Sequence, residues 1–251
     1  MIDIHSHILP GLDDGIVNLE DAVQVLKEAN EAGFDKVIAT THYSKRYHDN
    51  ERNRLESLEL IRNKIVGMEV FLGNEIMINS QIDDLIKNKE ASTINDSRYV
   101  LFELPLRDNE YPDLKNIILD LISKGYHLIL AHPERYVLFQ KNPEKVEDIV
   151  NMGVYLQANF LSIMGRYGKE AQKTVKLLFK HNMISFLGTD VHKPLDTYFQ
   201  IKDSSERIIN IIGEKKFKDM TDINPQRVLD NDIVENPKYM PMKKNLFGKY
   251  R

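Results

Sequence analysis

Residues 1–33, MIDIHSHILPGLDDGIVNLEDAVQVLKEANEAG, contain the unit from which the fold can be read. The apolar run Met1–Ile4 predicts a strand, which carries Asp3 and leads into His5 and His7. Asn18 is placed to cap a helix in which Leu19, Ala22, Val23 and Leu26 recur at helical spacing, and Gly33 ends it. Strand, polar strand end and amphipathic helix together make one βα unit.

The unit recurs along the chain. Further strands are expected at Lys36–Thr40, Val70–Leu72, Tyr99–Phe102, His127–Ala131, Val154–Ala158 and Ile184–Leu187. Each is short and apolar, the composition of strands covered on both faces. Pro112–Asp113 opens a helix with Leu114, Ile117, Ile118, Leu121 and Ile122 on one face, closed by Gly125. Asn142–Pro143 puts proline at the first position of another helix, ended by Gly153, and a further helix runs from about Lys169 to His181. Seven strands alternating with helices imply an α/β fold with a mostly parallel sheet, open or closed into a barrel. No linker, repeat or low-complexity stretch interrupts residues 1–251, so one domain is expected. After about Asn224 the pattern decays, and residues 225–251 read as a loosely held, peripheral basic tail. The alternative is a membrane-surface patch built on Met240, Met242, Leu246, Phe247 and Tyr250.

Composition narrows the function. The chain carries 34 basic and 38 acidic residues, which argues against a nucleic-acid partner held by global positive charge. It has no cysteine, which excludes disulfides, thiolate metal sites and cysteine nucleophiles. No apolar run is long enough for a membrane span and no leader is evident, so a soluble, cytoplasmic protein is expected.

In parallel α/β folds the reactive groups sit at the carboxyl ends of strands. Six of the seven expected strands lead into metal-capable side chains: Asp3, His5 and His7; His42 in ATTHY; Glu75 in LGNEI; Glu103 in LFELP; His132 in ILAHPER; Asp190 and His192 in FLGTDVH. Five of only eight histidines stand at these positions, and His-x-His on an extended strand points both rings to one face. With Asp14 added and Asp3 left out, nine candidate ligands result, more than one ion can use but suited to two or three ions sharing carboxylates. Imidazole and carboxylate without thiolate suit manganese, iron or zinc. Four carboxylates against three divalent ions leave net positive charge, which favours an oxyanion such as a phosphate ester. Water bound to such ions ionises near neutral pH and supplies a nucleophile.

The opening IDIHSHILPGLDDG, followed in order by ATTHY, GNEI, FELP, AHPERY and GTDVH, resembles the PHP (polymerase and histidinol phosphatase) superfamily. More narrowly it is similar to the manganese-dependent protein-tyrosine phosphatases of capsular and extracellular polysaccharide loci. The resemblance covers nearly the whole chain. It implies a distorted (β/α)7 TIM-like barrel with a trinuclear manganese site at the strand carboxyl ends. It groups His5, His7, Glu75 and Asp190 on one ion, Glu75, Glu103 and His132 on a second, and Asp14, His42 and His192 on a third. Asp13 rivals Asp14, which is favoured because the family acid stands immediately before the glycine. Asp3 is expected to orient His5 or His7. Arg135 matches an arginine that clamps phosphate through two nitrogens. The family arginine some five residues beyond Asp-x-His has no counterpart in His192–Thr197, and Lys193 or Arg166 is the candidate replacement. The implied chemistry is hydroxide attack on phosphotyrosine in the tail of a bacterial tyrosine kinase, with His42 or His192 able to relay a proton. A histidinol-phosphate or other small-molecule phosphatase is the alternative, and a degenerate binding module the non-enzymatic one.

Overall fold

The computed structural model describes residues 1–251 except 49, 107–110, 112, 244–249 and 251. Seven strands form one parallel sheet in sequential order: β1 (Ile2–Ser6), β2 (Lys36–Tyr43), β3 (Glu69–Met77), β4 (Tyr99–Glu103), β5 (His127–Ala131), β6 (Tyr155–Asn159) and β7 (Phe186–Gly188). Backbone bonds from His7 N to Val191 O (3.0 Å) and from Asp190 N to His5 O (2.8 Å) join the first strand to the chain leaving the last. The sheet is thereby nearly closed into the expected barrel. Helices α1 (Leu19–Glu31), α2 (Glu51–Arg62), α3 (Ile82–Lys87), α4 (Leu114–Ser123), α5 (Val137–Lys141), α6 (Lys145–Asn151), α7 (Lys169–Lys180), α8 (Ile201–Ile212), α9 (Glu214–Lys218) and α10 (Asn224–Leu229) accompany it.

Local chemistry sets the helix ends. Asn18 Oδ1 accepts Asp21 N at 2.9 Å, and Gly33 takes φ +92° after α1, as the capping signals require. The Asn142–Pro143 reading needs correction. Lys145 N bonds Asn142 O and Val146 N bonds Pro143 O, so these residues make a tight turn and α6 begins two residues later than expected.

The strands alternate sides, so residues two apart share a face. One face lies inside the barrel, where Ile4, Ile38, Leu101, Ile129, Ala131 and Phe186 are buried together. Following the inward column upward gives Ile38, Thr40, His42 on β2; Phe71, Gly73, Glu75 on β3; Tyr99, Leu101, Glu103 on β4; Tyr155, Gln157, Asn159 on β6. Each column is apolar below and polar at its carboxyl end. β2 and β3 run longer than expected, so His42 and Glu75 stand within strands rather than after them.

Two strands break parity to join this layer. The register of β1 against β2 shifts between Asp3 and Ser6, so Ile2 and Ile4 pack in the barrel while His5 and His7 face its mouth. After β5, His132 adopts φ 34°, which redirects its side chain. Gly188 makes room beside them, since a Cβ there would sit 2.7 Å from His5 Cβ and 2.9 Å from Gln157 Nε2.

The segment after α10 differs from the loose tail expected. Val234 is buried against the amino ends of β4 and β6: its N–H donates to Tyr99 Oη at 2.9 Å, and Tyr155 Oη donates to its carbonyl at 2.5 Å. Further on, Met240 exchanges hydrogen bonds with His181, and Met242 is buried with its N–H on Glu147. Docking therefore continues to at least Met242, because the partners are distant in sequence. Met240 itself is half exposed, Tyr250 bonds Glu144, and Leu246 and Phe247 of the conjectured membrane patch lie outside the described residues. Among the described residues, no helix is long and apolar enough to cross a membrane.

Candidate metal centre

Nine side chains expected at the strand ends converge on one cleft, with Glu75 at its middle. Glu75 Oε1 lies 2.7 Å from His132 Nε2, while Oε2 lies 3.3 Å from His5 Nε2, 3.4 Å from His7 Nε2 and 3.0 Å from His42 Nδ1. Three donor groups result, each compact enough for one cation: His5, His7 and Glu75; His42, Glu75 and Glu103; and His7, Asp14, His42 and His192. Asp190 Oδ1 adds to the first, 3.5 Å from His5 Nε2 and 3.4 Å from His7 Nε2. The cleft opens toward the third group: the His5 and His7 side chains are fully buried, whereas His42 is 16%, His192 27% and Asp14 50% exposed.

The imidazoles are aimed by partners on their far sides. His5 Nδ1 meets Gln157 Oε1 at 2.8 Å, His7 Nδ1 meets Asp13 Oδ2 at 2.7 Å, and His192 Nδ1 meets the Asp190 carbonyl at 2.8 Å. Each contact fixes a proton on Nδ1 and leaves Nε2 facing the cleft, the arrangement seen behind metal-bound histidines. Asp13 and Asp14 are thereby separated. Asp13 turns inward to hold His7, the His42 N–H and the Gly15 N–H, whereas Asp14 faces His42 and His192 at 3.5 and 3.7 Å. Gly15 permits this loop, since a Cβ there would lie 2.3 Å from the His7 carbonyl. Asp3 touches neither ring. It accepts from Thr189 N and Oγ1, Tyr198 Oη and, at 3.3 Å, the His5 N–H, so it orients His5 through the backbone.

Electrostatics supply a test of fit for cations. Burial disfavours charge on His5, His42, Glu75 and Asp190, yet the mixed signs win. Glu75 and Asp190 hold His5 above its ordinary pKa, and Glu75 pushes His42 up to about 10. The histidines in turn hold Glu75 and Asp190 well below the usual carboxylate range. His192, lowered by burial and by His7, stays neutral. Despite this crowding, His42 Nδ1, Glu75 Oε2 and His132 Nδ1 are buried with no hydrogen-bond partner among the described residues. Buried polar atoms rarely go unsatisfied, and two of these belong to the Glu75 cluster. Convergent nitrogen and oxygen donors with orphaned lone pairs fit divalent ions. Two candidate ligands also sit in strained backbone, His132 at φ 34° and Asp190 at φ 55°.

Arg135 lies at the same cleft. Its Nη1 donates to Asp190 Oδ2 at 2.6 Å, on the far side of that carboxylate from the histidines. Arg166 and Lys193 are not drawn in. Arg166 pairs with Asp196 and is 42% exposed, and Lys193 is exposed with no ion pair among the described residues.

Several positions at this site escape the sequence reading. Asn159 Nδ2 donates to Asp190 Oδ2 at 2.8 Å, and Gln157 Nε2 donates to Asn159 Oδ1 at 2.9 Å, linking His5 to Asp190 through β6. Buried Glu134 accepts from Asn159 N and Ser162 Oγ and fixes the turn that bears Arg135. Tyr167 lies under the Arg135 guanidinium. Polar residues two apart at the end of an apolar strand, Gln157 and Asn159, are the signal that could have found the first pair.

Known proteins resemble the chain over most of its length. The family described as capsular polysaccharide synthesis, CpsB/CapC, matches residues 1–230. CapC of Staphylococcus aureus is 35% identical over 208 residues, covering 80% of this chain and 81% of CapC. The tyrosine-protein phosphatase YwqE of Bacillus subtilis (strain 168) is 28% identical over 99% of both chains. A crystal structure from work on YwqE of Bacillus subtilis and CpsB of Streptococcus pneumoniae, described as unique metal-dependent tyrosine phosphatases, superposes with a TM-score of 0.89. It is 27% identical and covers 97% of this chain and all of its own. The lactonase Lmo2620 of Listeria monocytogenes, 12% identical with a TM-score of 0.57, shares the fold alone.

Proposed function

The chain belongs to the CpsB/CapC family of capsular polysaccharide synthesis, and from that premise we propose that it is a metal-dependent protein-tyrosine phosphatase. The observation that carries the reading is the convergence of both Glu75 oxygens on four histidines, with Arg135 at the edge of the same cleft. His5, His7, Glu75 and Asp190 would hold one ion, Glu75, Glu103 and His132 a second, and Asp14, His42 and His192 a third. Manganese is the proposed occupant, and iron or zinc would suit the same donors. Divalent ions so held supply a water that ionises near neutral pH and neutralise charge on the phosphoryl oxygens.

The protein's own groups do the rest. Arg135 keeps one N–H on Asp190 and offers the others to the phosphoryl oxygens as a planar fork. The open side of the cleft, lined by His42, His192 and Asp14, admits the ester. A tyrosyl phenolate, with a pKa near about 10, departs with little assistance. His42 and His192, the most exposed imidazoles of the set, flank this open side and would hold the third ion there, so water protonates the departing phenolate. The proposed substrate is the phosphotyrosine tail of a bacterial tyrosine kinase that regulates capsular or extracellular polysaccharide synthesis. That places the enzyme in the cytoplasm, with no nucleic-acid partner.

Phosphate release from a phosphotyrosine peptide and from histidinol phosphate, each with manganese and with chelator, tests the reading. The expected result is chelator-sensitive release, strongly favouring the peptide. Preference for histidinol phosphate would keep the site and overturn the substrate. Silence on both with metal bound would overturn the enzyme.

A further inference from the structure

Arg135 makes one ion pair among the described residues, to Asp190, and its side chain is 23% exposed. A long side chain tethered at one corner remains free to pivot, since arginine carries about 2 kcal/mol of rotamer entropy. The structure supplies a second restraint. The Tyr167 ring lies against the guanidinium, with Arg135 Cζ 4.6 Å from the ring centroid. Tyr167 is itself half-buried in the segment between β6 and α7. Asn159 Nδ2 in turn donates to Asp190 Oδ2, the oxygen that accepts Arg135 Nη1. Asp190 thus joins Arg135 to Asn159, with the Tyr167 ring against the guanidinium. Glu134 ties Asn159 to the turn bearing Arg135, accepting from Asn159 N and Ser162 Oγ.

We propose that Tyr167 is a positioning residue for Arg135, its ring holding the guanidinium against Asp190 so that the remaining N–H groups are preset for the phosphoryl group. This inference rests on the phosphatase reading. Tyr167 acts through Arg135, so its loss weakens the grip on phosphate and leaves the nucleophile untouched. A cation–π contact of this kind is worth about two- to thirtyfold in affinity.

The test uses the full chain loaded with manganese, an aryl phosphate as substrate and inorganic phosphate as the ligand in calorimetry. Tyr167→Leu should raise KM and the phosphate Kd together by about tenfold, while kcat moves less than threefold. Tyr167→Phe, which keeps the ring, should stay within about twofold of wild type. In an Arg135→Ala background Tyr167→Leu should cost nothing further, because the group it positions is gone. Tyr167→Met, which keeps bulk without a ring, gives the same reading if the leucine variant does not fold. Wild-type constants in the ringless variants, a loss as large with phenylalanine as with leucine, or a full loss surviving in the Arg135→Ala background would each overturn the proposal. A wild-type protein that neither binds phosphate nor turns over the ester would overturn the phosphatase reading and this inference with it.

Discussion

The two ends of this barrel are built from the same strands and obey opposite rules. At the amino end, Tyr99 and Tyr155 are inward residues whose hydroxyls bond the backbone at Asp232 and Val234. At the carboxyl end, the same inward columns terminate in His42, Glu75, Glu103, Gln157 and Asn159, where buried nitrogen and oxygen atoms lack partners and the backbone is strained at His132 and Asp190. The amino end is sealed by the segment after α10, whereas the carboxyl end is held open. Unpartnered buried atoms occur at both ends among the described residues, His127 Nε2 and Ser185 Oγ at the amino end, but at the open end they gather around the shared carboxylate of Glu75, as expected where chemistry sits on a packed scaffold.

Substitutions at the two ends should therefore separate activity from stability. Glu75→Gln keeps volume but removes the charge shared by the donor groups. Its turnover of aryl phosphate should fall by about a thousandfold or more, with the folded structure kept as judged by circular dichroism. Near-normal turnover would dissolve the contrast. Arg135→Lys preserves the charge and loses the planar fork, so kcat/KM should drop about ten- to a hundredfold. At the sealed end, Tyr99→Phe removes the acceptor for Val234 N and the donor to Asp232 O. Denaturant titration should find a loss of about 1–3 kcal/mol, with kcat and KM unchanged for the folded fraction. A change in activity there would mean that the ends are coupled.

This contrast also explains what was readable in the chain. Histidine is scarce and charge is unwelcome in buried strands, so His5, His42, Glu75 and Asp190 stand out against Val, Ile and Leu. The strand sequence itself follows from the repeated βα pattern. Gln157 and Asn159 stayed hidden because neutral amides in a strand carry no chemical flag until the inward column is known. The docking of Val234 and Met240 depends on Tyr99, Tyr155 and His181, partners far along the chain that no local pattern connects. At Asn142–Pro143 a proline that fits a helix start instead serves the turn before it, since both placements meet the same φ requirement. Asp13 and Asp14 are neighbours that only the loop at Gly15 can tell apart.

With both oxygens among four histidines, Glu75 is placed to organise a multinuclear metal centre. The direct measurement is the content of divalent metal per chain after manganese loading and dialysis, by mass spectrometry, for the wild type and Glu75→Gln. The wild type should hold three ions, one on each of the three ligand sets proposed above. In the variant only the ion of the Asp14, His42 and His192 group should remain. A wild type holding a single ion or none, or a variant with undiminished content, would contradict this role of Glu75.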